Sequence, residues 1–370
     1  MTGACDACLR RGYLVGRLSA RIAAMLDRPG KRVGALLSLP EEQLVEAVAA
    51  HSTGDAVDPL GGFDADRARA EMAERGVRAI CRHDGRYPPQ LLQLQDAPAV
   101  LFVSGDGDLG LLAHSSSVAL VGTRRPSPYG REVAHDLGRG LGAAGVPVVS
   151  GLALGIDAEV HRGCLAADGL AIAVLACGPD VPYPRTNRHL YDRVRERGLV
   201  VSELPPGQRP YRWSFPARNR IMAGLARVTV VVEAADPSGS LITTQFATQL
   251  GRAVGAVPGQ VTSRVAAGTN NLLKDGAAVV TGPQDLLDEL FGSESDEGKA
   301  ARERAAARAI DDPVQLRLLE AVEASLGIDG ICAHAGVPVR EARAGLSRLE
   351  RSGHVRRDPL GGYRRTAAPC

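Results

Sequence analysis

The sequence predicts an α/β protein: a Rossmann-like, doubly wound, mostly parallel sheet, with a small N-terminal helical domain before it and a C-terminal winged helix after it. Three observations predict this class. Between about residues 99 and 291, short β-branched runs alternate with helical stretches. Several of those runs are apolar throughout, as strands covered by helices on both faces must be. From residue 312 the pattern changes to short helices followed by a hairpin.

Taken in order, residues 1–85 hold RLSARIAAMLDR, LPEEQLVEAVAA and DADRARAEMAERG, each with apolar residues at helical spacing. The core, 86–291, supplies about eight strands: VLFV, SVALVG, VPVVSG, LAIAVLA, LVVSE, VTVVVEA, AVGAVPG and AAVVTG. Ligands of such a sheet belong beyond the carboxyl ends of its strands. Residues 292–311 open with the small polar and acidic run GSESDEG and read as a linker. In 312–370, DPVQLRLLEAVEA, GICAHAG and VPVREARAGLSRLERSG are helices, and HVRRDPLGGYRRT turns back through Gly361-Gly362. The presumed recognition helix, about 338–351, mixes Arg340, Arg343, Arg348 and Arg351 with Glu341 and Glu350. Those acids oppose tight contact with duplex phosphates and favour a protein-docking module over a transcription factor.

A chain of 370 residues is long enough for two or three domains, each with its own core. With 45% hydrophobic and 23% charged residues it is not expected to be disordered wholesale. The formal net charge is only +2, so any site for a polyanion must be a local patch. Arginine outnumbers lysine 41 to 3, which the codon usage of a GC-rich genome accounts for. The opening MTGACDACLRRG lacks a long apolar stretch and no run of 18 apolar residues follows, so neither a signal peptide nor a membrane span is expected. Seven scattered cysteines read as reduced thiols in the cytoplasm. Cys5 and Cys8 form a CxxC, but no second CxxC supplies the other two ligands of a structural zinc, so no metal is expected. Cys332 and His334 read as a helix-packing pair.

Each strand of the core ends in residues suited to an anion. Gly122-Thr123-Arg124-Arg125 closes SVALVG, with Ser127-Pro128 as cap and first position of the next helix. Ser150-Gly151 opens a second glycine turn that runs to Asp157, and Tyr183-Pro184-Arg185-Thr186-Asn187 follows LAIAVLACG. SFPARNR opens a helix with Phe215, Arg218, Asn219 and Arg220, and Pro216 suits its first turn. Arg218 and Arg220 project about 200° apart, so at most one faces a ligand while the other braces. Ser238-Gly239-Ser240 begins the helix after VTVVVEA. Glycine admits close backbone approach, and arginine offers a planar fork to phosphate. Neither a Walker A sequence nor GxGxxG occurs at these turns, so no nucleotide cofactor is expected. Residues 185–220 contain nine arginines against three acidic residues, interleaved with Tyr191, Tyr211, Trp213 and Phe215. Cations follow a single strand's backbone while rings stack on unpaired bases. Asp157 and His161, four apart, read as a helix-face hydrogen bond rather than a catalytic pair, and no catalytic residues are expected.

In order and spacing, SVALVGTR, VVSGLALGID with His161, IAVLACG leading to YPRTN, LVVSELPPG, FPARNRIMAGL, VVVEAADPSGSLIT, GRAVGAVPG and GTNNLLKDGA resemble the DNA-processing protein A family, also called Smf, of natural transformation. The resemblance covers about residues 86–290. It implies a cytoplasmic, homodimeric protein that binds single-stranded DNA, helps a RecA-type recombinase load in place of single-strand-binding protein, and is not an enzyme. It places Arg124 and its turn in the DNA pocket, with Arg185 and the FPARNR helix beside them, and gives the backbone amides at Gly122, Gly151 and Gly239 to phosphates. Arg185 stands where many members have lysine, which keeps the charge and changes the donor geometry. The N-terminal region lacks a helix-hairpin-helix glycine signature. The core also resembles lysine-decarboxylase-like phosphoribohydrolases, whose signature is PGGxGTxxE. Gln245 occupies the position of their catalytic glutamate and cannot act as a carboxylate base.

Overall fold

A computed structural model describes residues 3–26, 33–49, 62–292, 295–307, 313–351, 354–358 and 362–365. The expected hairpin glycine Gly361 lies outside these. The chain begins with α1 (Asp6–Leu26), α2 (Val33–Leu37), α3 (Glu41–Ala49) and α4 (Ala65–Glu74). Leu14, Val15, Leu18, Ile22 and Met25 form one stripe of α1, which packs on Leu36, Leu37, Leu44 and Val48. Asp64 caps α4 by accepting the N–H groups of Asp66 and Arg67 at 2.9 and 3.1 Å.

The central region then runs β1 (Val77–Cys81), β2 (Val100–Ser104), β3 (Val118–Val121), α5 (Pro128–Ala143), β4 (Val148–Ser150), α6 (Ile156–Ala166), β5 (Ala171–Val174), α7 (Arg188–Arg197), β6 (Leu199–Ser202), α8 (Ser214–Leu225), β7 (Val228–Val231), α9 (Leu241–Gln249), β8 (Ala253–Ala256), α10 (Ala267–Lys274), β9 (Ala278–Val279) and α11 (Pro283–Phe291). Among the described residues these strands form one nine-stranded sheet in the order β1-β2-β6-β5-β4-β3-β7-β8-β9. From β6 to β9 all neighbours are parallel, while β1–β2 and β2–β6 are antiparallel. Because side chains alternate along a strand, Val118 and Leu120 enter the layer beneath α5, α6, α7 and α11, and Ala119 and Val121 enter the one beneath α8. Strand order reverses between β3 and β7. That makes their carboxyl ends the topological switch point of the sheet.

Two parts of the chain differ from expectation. The sheet starts inside the segment read as purely helical: β1 lies before residue 85, a five-residue strand whose alanine, arginine and cysteine carry little β signal. Within the expected linker, α12 (Asp296–Ala307) is a helix. It buries Ala301 in the main core and donates from Arg304 Nε to the Ala144 carbonyl at 3.0 Å, so packing on the end of α5 overrides its polar composition. After it come α13 (Pro313–Glu323), α14 (Ile328–Ala335), α15 (Val339–Arg351) and the antiparallel pair β10 (Val355–Arg357) and β11 (Tyr363–Arg365) around a separate small core. No helix among the described residues is long and apolar enough to cross a membrane.

Candidate functional site

At the carboxyl end of β3 the chain turns through Gly122 and Thr123, held where Thr123 N–H donates to the Glu233 carbonyl at 2.7 Å. The Thr123 carbonyl accepts the Ile156 N–H at 3.1 Å, and the Thr123 hydroxyl accepts the Arg125 N–H at 3.2 Å. This cross-bracing leaves Arg124 and Arg125 exposed. Gly155, at φ 80°, makes it possible: a Cβ there would lie 2.4 Å from the Thr123 carbonyl and 2.7 Å from the Arg124 backbone. No other residue adopts that φ at so close an approach.

Arg124 places its guanidinium carbon 5.1 Å from the centre of the Phe215 ring, at the start of α8. Tyr183, exposed on the loop after β5, sets its ring 5.9 Å from Phe215. Arg185, two residues on in the short turn Arg185–Asn187, is exposed as well. On the other side, Asn219 of α8 donates to the Gly239 carbonyl at 3.2 Å, which ties the Ser238–Ser240 turn to the same helix. Ser238 and Ser240 hydroxyls pair at 2.8 Å, and Gly239 is exposed with open space around it. The structure thus brings together Arg124, Tyr183 and Phe215 and ties the Ser238–Ser240 turn to the same helix, with Arg185 exposed two residues beyond Tyr183.

Other expected contacts are claimed by the protein itself. Arg220 is 0% exposed, with Nε 3.0 Å from Asp96 and Nη2 2.5 Å from Glu203. Arg218 is buried and donates to the Val174 carbonyl at 2.8 Å, filling the space a Cβ on Gly151 would need. Both arginines brace, so neither is the ligand cation expected of one of them. Ser150 gives its hydroxyl to the Leu120 carbonyl at 2.7 Å, and buried Asn187 donates to the Leu152 and Ala153 carbonyls at 3.0 and 3.3 Å. The Gly151 amide is taken too, since Asp157 accepts it and the Ala153 N–H at 3.2 and 3.4 Å. Burial raises the Asp157 carboxyl, opposed by Arg218 and these amides. Asp157 therefore serves the turn instead of the expected helix-face bond with His161. That imidazole lies buried against the Ser150 backbone, and burial pushes it down to about 3.

At the start of α5, Glu233 accepts the Ser127 N–H at 2.8 Å and the Ser127 hydroxyl at 2.7 Å. A helix N-terminus that attracts anions is already neutralised by a carboxylate from the end of β7. Of the expected aromatics, Tyr191 is buried with its hydroxyl on the Pro179 carbonyl, and Trp213 is buried with its indole N–H on the Ser19 carbonyl at 3.0 Å. Both are core. Glu233 was not among the expected site residues, and Tyr183 was expected only as the start of an anion-suited stretch, not as a ring beside Phe215. Tyr183 is signalled only by its neighbourhood to Arg185, and Glu233 by its place after an apolar strand.

The fold and this edge define a Rossmann-like α/β protein that presents exposed arginines and aromatic rings at its switch point. Residues 78–291 match the family model of DNA recombination-mediator protein A, and the chain belongs to that family. It is 39% identical over 224 residues to the DNA processing protein DprA of Bacillus subtilis, covering 60% of this chain and 75% of that one. Among solved structures it is similar to DNA processing protein A from Streptococcus pneumoniae, with a TM-score of 0.59 and 33% identity over 77% of this chain and 96% of that chain. It is also similar to DNA processing protein A from Helicobacter pylori, described for its single-stranded DNA binding mode, with a TM-score of 0.52 and 30% identity over 58% of this chain and 95% of that chain.

Proposed function

We propose that this protein binds single-stranded DNA along the carboxyl edge of its sheet and passes it to a RecA-type recombinase in natural transformation. The observation that carries the reading is the step of exposed Arg124, half-buried Phe215 and exposed Tyr183, with Arg124 5.1 Å over the Phe215 ring. A guanidinium for the phosphate beside rings for the base is the pairing that unstacked strands require, and a duplex hides its base faces. Of the glycine amides, that of Gly151 is taken by Asp157, and Glu233 takes the helix-start amide of Ser127, while the exposed Gly239 turn remains open to a phosphate. The Gly122, Thr123 and Arg125 backbone holds Arg124 in place, and Arg185 extends the cationic track. Gln245 is exposed in α9 and carries no carboxylate, which favours binding over nucleotide hydrolysis.

The C-terminal helices and hairpin act as a winged helix that docks protein. The active form is a cytoplasmic homodimer that displaces single-strand-binding protein as the recombinase loads. Salt titrations with a single strand and a duplex of equal length test the site. Wild type prefers the single strand. Arg124→Ala lowers affinity and flattens the slope of log affinity against log salt by about 0.7. Phe215→Ala costs roughly 1–3 kcal/mol per stacked base with little change of slope. Equal affinity for strand and duplex, or unchanged affinity in both variants, overturns the reading.

A further inference from the structure

The CxxC of the N-terminus has its missing partners in space. Cys5 and Cys8 open α1, Cys81 ends β1, and His83 sits in the turn that follows, where the Cys81 carbonyl accepts the Asp84 N–H at 2.8 Å. The four ligand atoms lie within 4.8 Å of one another. His83 Nδ1 is 3.4 Å from Cys5 Sγ and 3.5 Å from Cys8 Sγ, and Cys5 Sγ is 3.9 Å from Cys81 Sγ. Around a tetrahedral zinc with bonds of about 2.3 Å to sulfur and 2.0–2.1 Å to nitrogen, neighbouring ligand atoms stand about 3.6–3.8 Å apart. A disulfide needs its sulfurs about 2.05 Å apart, and these cysteines are free.

We propose that Cys5, Cys8, Cys81 and His83 form a structural zinc site that fastens the start of α1 to the end of β1. All four protein ligands are present, which is the closed set of a structural centre and leaves no position for substrate. The surroundings suit thiolates. The Cys5 N–H points at Cys81 Sγ at 3.5 Å, an outer hydrogen bond of the kind that supports a metal-bound sulfur. Cys8 and Cys81 also line a small core with Leu9, Met72, Val77 and Phe102, and Ala4 N–H reaches the Ala79 carbonyl at 3.2 Å. The ligands come from segments 76 residues apart, so the metal closes a long loop. The second half of the motif is CxH, Cys81-Arg82-His83, and its distance from the CxxC is why spacing alone misses it.

The test measures metal on the full-length chain purified under reducing conditions without a metal-affinity tag. About one zinc per chain, retained through dialysis, is expected, and replacement by cobalt gives thiolate-to-metal charge-transfer absorption with tetrahedral d–d bands. Cys81→Ser loses the zinc, whereas Cys332→Ser keeps it. His83→Ala removes an exposed ligand without opening the core, and its zinc passes to a competing chelator at least about tenfold more readily. A reduced wild-type chain that holds no zinc and takes up none when titrated with Zn²⁺ overturns the proposal, as does full zinc content in both Cys81→Ser and His83→Ala.

Discussion

Arg124 and Arg220 are both arginines beside a strand end, yet they have opposite duties. Arg220 is enclosed by Asp96 and Glu203, so Arg220→Met strands two largely buried carboxylates and lowers stability by about 3–5 kcal/mol. Chemical denaturation measures that loss, and the salt slope of strand binding by the folded variant stays at the wild-type value. Arg124→Ala, at an exposed position, changes stability by no more than about 0.5 kcal/mol. The sequence shows both cations, but not that acids from distant positions, 96 and 203, converge on one of them. His161 is legible only as a helix residue four after Asp157, and its environment comes from β4. Because burial holds it neutral down to about 3 from an ordinary 6.5, the unfolded chain takes up its proton first. Its contribution to stability is complete above pH 6.5 and is lost as pH falls toward 3, at about 1.4 kcal/mol per pH unit. His161→Asn should remove that share of the slope between urea midpoints measured at pH 7 and pH 5.

Among the elements, the Gly151–Gly155 turn couples β4 and α6 to the loop that carries Arg124. Asp157 and Asn187 secure it from two sides, and Gly155 lets it lie against Thr123. Gly155→Ala therefore strains a φ of 80° and pushes the Thr123–Arg124 backbone away. A loss of about 1–3 kcal/mol in stability is expected, together with a drop in single-strand affinity that salt does not restore. Denaturation and binding measured on the same sample distinguish this from Arg124→Ala, which affects binding alone. The glycine turns are readable because strand, glycine and helix start follow one another in sequence. What fills them is not. Asp157 is six residues from the amide of Gly151, and Glu233 comes from just beyond β7 to meet Ser127 of a neighbouring crossover. At Gly151 and at Ser127, the anion that the backbone looks ready for has been supplied by the chain itself.

Across the whole molecule, the parallel region from β3 to β9 was legible because each buried strand is an apolar run bounded by a turn. At the flanks two elements were not, β1 because it is short and mixed and α12 because it is polar around the buried Ala301. Truncation follows this division. Ending the chain after Ala307 keeps α12 on α5, and the thermal midpoint of the core should match that of the full-length protein. Ending it after Phe291 strips Ala301 and Arg304 from the end of α5 and lowers that midpoint. Calorimetry on the two truncations checks the difference, with single-strand affinity retained in the longer one.

β2 is buried along its entire length, and β1 pairs with its outer edge from Val77–Ser104 to Cys81–Val100. Were β1 to come away, β2 would present an uninterrupted row of peptide N–H and C=O groups with apolar side chains on both faces. Such a row is a template for a strand of another molecule, and self-association would spread in the hydrogen-bonding direction. β1 makes a poor template by comparison. It is five residues long, it carries Arg78, and the Ala79 carbonyl is already met by the N–H of Ala4. The small antiparallel strand at the margin thus protects the solubility of a sheet whose ligand edge lies elsewhere.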